Sequence, residues 1–379
     1  MLPFLPLSLL VLFALGACQP PDPLVKPSPT SSPELKSQLT LTNATLEQAS
    51  SQGQPLWKIQ VESAQYTPDR KRAQLKTLRG DLYQDGKVVL KVKADQGEIR
   101  DNGAEILLSQ NIVAVDPRNQ AVIYSQEVVW RPQAGTLTAR KDFRGEHPEV
   151  VVRAQEGRYE TAPQFLHLTG QVQADAAAKK LRLTSEALRW EIPNHLLIGA
   201  QPLKLVRYSG AGDITDQIEA PQAQVNLKSR QVFLPNPNQF KSLQPPLQIT
   251  AQNLTWFYDE KERRLETPLP LTILDYEEDI TITGNQGRVD FAQNQVWLTG
   301  STQALSAKNQ SRLLADVLMW NIPDRTLDAS GNILYEQERG VKFNLTGDWA
   351  RGSLTDNTVV VTGQKSERVV TEIYPSPSP

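Results

Sequence analysis

The residues of this 379-residue chain that could do covalent or acid–base chemistry are few in kind and widely scattered. There is one cysteine, Cys18, and there are three histidines, His147, His167 and His195. The histidines show no HxH or HExxH spacing, and a single thiol can form neither an internal disulfide nor a cysteine-rich metal site. No G-x-S-x-G elbow, P-loop or dinucleotide fingerprint occurs. The glycine-rich stretch Ser209-Gly210-Ala211-Gly212 lacks the Lys-Ser/Thr pair and the helix that a phosphate loop needs. The 42 Asp and Glu could hide the two carboxylates of a glycosidase, yet no local break in the chain's pattern marks a place for them. Lys and Arg number 40 and the net charge is −2, which excludes a strongly basic nucleic-acid binder. The chain therefore reads as a non-enzyme with no catalytic group, no metal site and no cofactor. Its charge runs, Glu277-Glu278-Asp279 and Lys261 with Arg263 and Arg264, read as solvated loop or edge residues. Lys179-Lys180, after three alanines, reads as a loop or short helical turn.

Cys18 is the residue with the clearest chemistry. Residues 2–17, LPFLPLSLLVLFALGA, are uncharged and apolar. They are too few to span a bilayer, which takes about 20 residues, and read as the apolar part of a signal peptide over 1–17. The run ends in Leu15-Gly16-Ala17-Cys18, which resembles a bacterial lipobox, although the usual basic residue near the start is missing. The resemblance implies cleavage before Cys18 and acylation of its thiol. Several acyl chains would anchor the protein firmly, at about 0.8 kcal/mol per buried CH₂. Residues 18–37 are rich in proline and form an extended spacer. The end of the chain, 368–379, closes on Pro375-Ser376-Pro377-Ser378-Pro379 and reads as a disordered tail.

Between these ends the apolar pattern has period 2. Leu188, Trp190 and Ile192 alternate with Arg189 and Glu191, as Leu318, Trp320 and Ile322 do with Met319 and Asn321. This is the signature of half-buried strands. Turn signals separate them: Gln84-Asp85-Gly86-Lys87, Asp101-Asn102-Gly103 and Ser330-Gly331-Asn332.

The strands also repeat. One series of anchors is Tyr66, Trp130, Trp190, Trp256 and Trp320; a second, midway, is Ile99, Tyr159, Val225, Val289 and Trp349. Successive anchors lie 29–35 residues apart, which gives ten copies of a unit of about 31 residues in two alternating subtypes. Two residues before the first series stand Ala64, Val128, Leu188, Leu254 and Leu318. The same place in the second series holds Gly97, Gly157, Ala223, Gly287 and Gly347. This alternation of bulky and small predicts two facing sheets whose side chains interdigitate. Acidic or amide residues four before the anchors (Glu62, Gln126, Glu186, Gln252, Asp316) are expected to cap turns or face solvent. One unit cannot bury its apolar face alone, so the copies must stack into a continuous core. A soft boundary at Ser209–Asp213 divides the body into halves 38–208 and 209–367.

The repeated strand and its L-x-G-x-[VI] partner, as in Ser185-Glu186-Ala187-Leu188-Arg189-Trp190 and Leu168-Thr169-Gly170-Gln171-Val172, resemble the LptC-like and OstA-like family of lipopolysaccharide export. The resemblance runs over about residues 40–365, roughly twice the folded length usual for the family. A lipidated Cys18 also stands where those proteins typically have a membrane-spanning segment. It implies an all-β fold, an extended antiparallel double-sheet jellyroll or twisted sandwich of about ten two-strand repeats opened into a V. The implied function is a membrane-anchored periplasmic bridge carrying lipopolysaccharide, or another acyl lipid, along an apolar groove. The implied partners are Lpt-type jellyroll proteins paired at the end strands and an inner-membrane ABC transporter that supplies the energy. For the anchor, the resemblance favours the inner membrane and leaves the outer open. Each aromatic anchor taken singly reads as core. Taken together, Tyr66, Trp130, Tyr159, Leu188, Trp190, Trp256, Leu318 and Trp320 are the candidates to line a groove. The competing function is an assembly lipoprotein that only holds partner proteins at its sheet edges, for which a closed core is expected.

Overall fold

The computed structural model describes residues 39–339, 342–353, 358–363 and 369–374. The expected signal peptide 1–17, Cys18 and the expected spacer 18–37 lie outside the described residues. From Gln38 onward the chain forms one compact unit. It contains 28 strands, joined by short turns, with no α-helix among the described residues. Every pairing is antiparallel, and the strands form one continuously bonded sheet.

The sheet is folded lengthwise into two layers, and the fold line runs through the strands themselves. From Thr40–Ala49 to Leu181–Glu191 the strands are 10–14 residues long and follow one another as a meander. Most break register near the middle, where two residues stand unpaired in the left-handed region: Gln110 and Asn111, Lys141 and Asp142, Gly170 and Gln171. Such bulges turn a strand sharply, so each half-strand belongs to a different layer. In the central part the two halves separate into short strands. After Leu181–Glu191, one ladder continues through Leu196–Gly199 and Ala223–Asn226, the other through Leu203–Tyr208 and Ile214–Ala220. Both rejoin at Gln295–Ser306, after which the long bent strands resume. Each 31-residue unit is thus two strand-lengths, so successive anchors stand on strands of the same direction.

Two expectations about turns change here. Ser330-Gly331-Asn332 is not a hairpin turn but the mid-strand bend of Thr326–Gln337, with Gly331 and Asn332 both at positive φ. The L-x-G-x-[VI] motif likewise bends its strand: Gly170 (φ 77°) is the corner of Phe165–Ala176. Gly-Asn and Gly-Gln supply the same backbone in a bulge as in a hairpin, so sequence does not separate the two. The polar residues four before the anchors brace these corners. Asp316 accepts from the Asn332 amide at 2.7 Å, and Asp95, four before Ile99, accepts from Asn111 at 2.6 Å.

At residue 209 a hairpin joins Leu203–Tyr208 to Ile214–Ala220, with no separation of halves. The expected tail includes a strand, Val370–Tyr374, paired with Lys342–Thr346 through its backbone; 375–379 lie outside the described residues.

Gly97 and Gly157, before two of the second-series anchors, are small because residues at the other layer's corner fill their space. A Cβ on Gly157 would stand 2.4 Å from the Phe143 ring, and one on Gly97 would stand 2.6 Å from Leu78 Cδ2. Gly157→Ala should therefore lower stability by about 1–3 kcal/mol, and adding Phe143→Leu should recover part of that loss. Equilibrium denaturation of the two variants checks this; equal stability of Gly157→Ala and the parent would refute the clash.

Candidate functional site

The interior of the roll holds the anchors in a single cross-strand row. Tyr66 stands opposite Ala73, then follow Ile99, Ile106, Trp130, Leu137, Tyr159, Leu166 and Trp190. The row continues through Leu197, Val225, Val232, Trp256, Leu265, Val289, Val296, Trp320 and Leu327. It ends at Gly352 and Val359. Tyr66, Trp130, Trp190, Trp256 and Trp320 recur at every fourth strand, about 19 Å apart at the usual strand spacing of about 4.8 Å.

Trp130, Tyr159, Trp190, Trp256 and Trp320 are at most 1% exposed, and Leu188 and Leu318 at most 3%. Tyr66, at the N-terminal end of the row, is only partly covered. The groove candidates thus stand together on one wall, and the opposite layer covers them. Trp349 does not belong to the row. Its neighbour Ala350 points inward, Gly352 takes the row position, and Trp349 is 37% exposed under Arg351. Outward-facing and inward-facing residues alternate one by one along a strand, so an anchor displaced by three positions lands on the wrong face.

The four row tryptophans share an unusual feature. Their indole Nε1 groups are buried with no hydrogen-bond partner among the described residues. Trp57, on the other layer, bonds Gln48 Oε1 at 2.7 Å. A buried unpaired donor costs about 1–3 kcal/mol. Around two of the four, aromatic edges close the space: His147 lies 5.1 Å from Trp190, and Phe240 lies 5.5 Å from Trp256.

Opposite the corners, the turns of the two layers meet and bond along a polar seam. Trp57 Nε1 also reaches Gly103 O (3.3 Å), Arg118 donates to Thr161 O (2.8 Å), and Asn119 donates to Gln164 Oε1 (2.7 Å). Farther along, His195 Nδ1 and Glu149 Oε2 are 2.8 Å apart, Arg207 donates to Tyr258 O at 3.2 Å, and Arg325 pairs with Glu278 at 2.6 Å. The V that the family resemblance implies is closed along this edge.

Several seam residues were not singled out by sequence, or were read otherwise. Arg263, expected to be solvated with Lys261 and Arg264, instead reaches inward to Asp216 (2.8 Å), Ser242 Oγ (2.9 Å) and Gln244 O (3.1 Å), its guanidinium 4.4 Å from the Phe291 ring. Asp216 is fully buried; burial raises its carboxyl pKa, and the Arg263 and Arg207 charges oppose that rise. Glu278, in the acidic run, holds Arg325 and Lys308. Tyr159, whose ring is in the row, donates its hydroxyl to buried Asp116 at 2.7 Å, and burial raises its pKa. The Asp116-Pro117-Arg118-Asn119 turn was the one sequence signal for this cluster.

The interior opens at the C-terminal end. A cavity of about 160 Å³ there is lined by Ala304, Leu313, Leu327, Tyr335 and Val359 among others. Among the described residues, the backbone edges of Thr358–Thr362 and Val370–Tyr374 beyond it each pair on one side only, both with Lys342–Ser353, while Thr40–Ala49 is the edge at the other end. No helix of the described residues is long and apolar enough to cross a membrane.

Residues 5–142 match the family model described as LptC, lipopolysaccharide-assembly, LptC-related. The matched part covers the N-terminal run, the spacer and the strands to Thr136–Glu146, less than half of the chain, and agrees with the resemblance read from the repeat. Bent strands continue past it to Leu181–Glu191 and resume from Gln295–Ser306 to Lys342–Ser353. No curated protein matches the chain.

The seam yields two predictions. Arg263→Met leaves the Asp216 carboxylate buried with one fewer cation, and should cost about 3–5 kcal/mol; Asp216→Asn in the same chain should recover part of it, as denaturant melts would measure. The second concerns acid. Burial against Trp190 lowers the His147 pKa below its ordinary 6.5, and His147 Nδ1 accepts from the Glu149 backbone N–H. The folded state thus takes up a proton less readily than the unfolded chain, so this stability is complete above pH 6.5 and is lost as pH falls below it. Between pH 7 and 5 the parent should lose melting temperature more steeply than His147→Gln; parallel slopes would dismiss the histidine.

Proposed function

With the LptC-related match over residues 5–142 as premise, we propose that this chain is a component of a periplasmic bridge for lipopolysaccharide. On this reading it is held to a membrane by acylated Cys18 and passes acyl chains along the apolar row from Tyr66 to Val359. The match is the observation that carries the reading. Three features support it. The row is unbroken and apolar over its whole length, and it ends in an open cavity beside unpaired strand edges able to recruit another jellyroll. The four indole donors along the row lack partners, and a lipid with ester or amide carbonyls beside its acyl chains would offer them acceptors. Passage requires the seam to part, since the row is covered when the seam is closed. No catalytic step is involved, and the driving energy comes from a partner ATPase at the inner membrane. The edges would join Lpt-type jellyrolls on either side.

The packed interior also favours a second reading, an assembly lipoprotein that holds partners by its edges and never admits lipid. A photoreactive residue placed in cells at Leu188, Trp190 or Leu318 separates the two. Lipid adducts at several successive strands are expected for a conduit, and they should disappear when cysteines at Asn119 and Gln164 are joined across the seam by a short bifunctional maleimide. Protein adducts alone, with none to lipid at any position, would leave the scaffold.

A further inference from the structure

The outward face near the N-terminal edge is positively charged in a chain whose net charge is −2. Between residues 58 and 100 stand ten Lys and Arg against six Asp and Glu. Four of these cations, Lys58, Arg79, Lys91 and Lys93, line one shallow groove of about 470 Å³ together with Gln60, Val113 and Val115. Strand register sets them side by side: Asp81 lies between Lys58 and Lys91, and Arg79 lies between Gln60 and Lys93. All four cations are exposed.

Their charges are only partly compensated. Asp81 is the only carboxylate lining the groove, and it makes no ion pair among the described residues. Lys58 turns to Glu47 (3.4 Å), Arg79 bonds the Gln60 amide oxygen (2.9 Å), and Lys91 and Lys93 have no ion-pair partner among the described residues. Arg79 and Lys93 are directly opposite, and like charges so placed destabilise an antiparallel pair. Arg144 opposite Arg153, on the same layer, shows the contrast, because Arg144 pairs with Glu146 and Arg153 with Asp175.

We propose that this groove docks on a membrane surface bearing anionic phosphate headgroups. The cations spread over three strands on an open face and do not converge on a pocket, and Val113 and Val115 add apolar surface beside them. That geometry fits a plane of headgroups better than a single small anion. The preceding chain allows it: 21 residues separate Cys18 from Thr40, and a proline-rich spacer extends about 3.1 Å per residue. The face is therefore within reach of any membrane that holds Cys18.

The test uses the processed chain with Cys18→Ser, which carries neither the apolar run nor acyl chains. It is sedimented with vesicles of phosphatidylethanolamine, with and without phosphatidylglycerol. Binding is expected only with phosphatidylglycerol, weakening as salt rises. Each cation near such a surface strengthens binding about fivefold, so Arg79→Gln/Lys91→Gln/Lys93→Gln should weaken it about a hundredfold. Lys228→Gln/Lys241→Gln/Lys261→Gln, removing three exposed lysines elsewhere, should leave it unchanged. Absence of binding, equal binding to uncharged vesicles, equal loss in both triple variants, or full competition by inorganic phosphate would each overturn the proposal. No transfer of lipid is measured, so the outcome stands apart from the bridge reading.

Discussion

The structure depends on one backbone constraint, the mid-strand corner. An antiparallel sheet this wide must bury one face, and no helix is available among the described residues to cover it. The chain folds the sheet on itself by bending strand after strand at residues with positive φ. Glycine takes this conformation freely, and asparagine takes it more readily than most residues. Gly170, Gly300 and Gly331 serve at three corners, followed by Gln171, Ser301 and Asn332. Once the corners are set, the inward face of one layer must mate with that of the other. Gly157 then cannot be larger, because Phe143 occupies its space. The free ends must also meet, and so the seam follows from the corners.

This explains what was legible in the sequence. Alternation and the anchor repeat are properties of single strands, and they located the row: Tyr66, Trp130, Trp190, Trp256 and Trp320 do face one interior at every fourth strand. The unit length was legible for the same reason. The corners were misread as turns or strand ends because a bulge and a hairpin use the same residues. Trp349 was misassigned because the Trp at 349 outweighed the Gly at 352, although the row position tolerates glycine. The seam was nearly invisible. Its partners are distant in the chain, Asp216 with Arg263 or Glu149 with His195, and nothing local marks a charge as buried. Arg263 stands beside Arg264 in sequence, yet their opposite faces lead one into the seam and the other over the Phe257 ring.

The seam also decides how a packed roll could carry a lipid. A fully buried row of tryptophans is good core and poor groove, and a rigid closed tube would admit nothing. The contacts that close the tube are of a different kind from those that fill it. They are single hydrogen bonds and ion pairs between turns, many partly exposed, and exposed pairs contribute little each. The corners, by contrast, are covalent and continuous. Any parting of the layers therefore happens at the seam, with the corners as the hinge.

Repetition makes such parting local. In a stacked array each unit touches mainly its neighbours, and stability is close to a sum of unit and neighbour contributions. Opening the seam between two adjacent turns exposes the row beneath them and leaves distant units closed. An acyl chain lying in that opening would replace the apolar contacts that the parted layers lose. Its carbonyls would stand within the stretch where an unpaired indole N–H recurs every fourth strand. The occupied opening can then shift by one strand at a time, because each step breaks one set of turn contacts and remakes an equivalent set behind it. If the chain carries lipid as proposed, equivalent units would give equivalent states, so movement along the row would need no energy source within this chain, and direction would be set by whatever loads one end and unloads the other. The exception is Asp216, whose ion pairs with Arg207 and Arg263 are the most deeply buried ion pairs of the seam. It makes the middle of the roll the costliest place to open, and the natural point at which traffic along the row would slow.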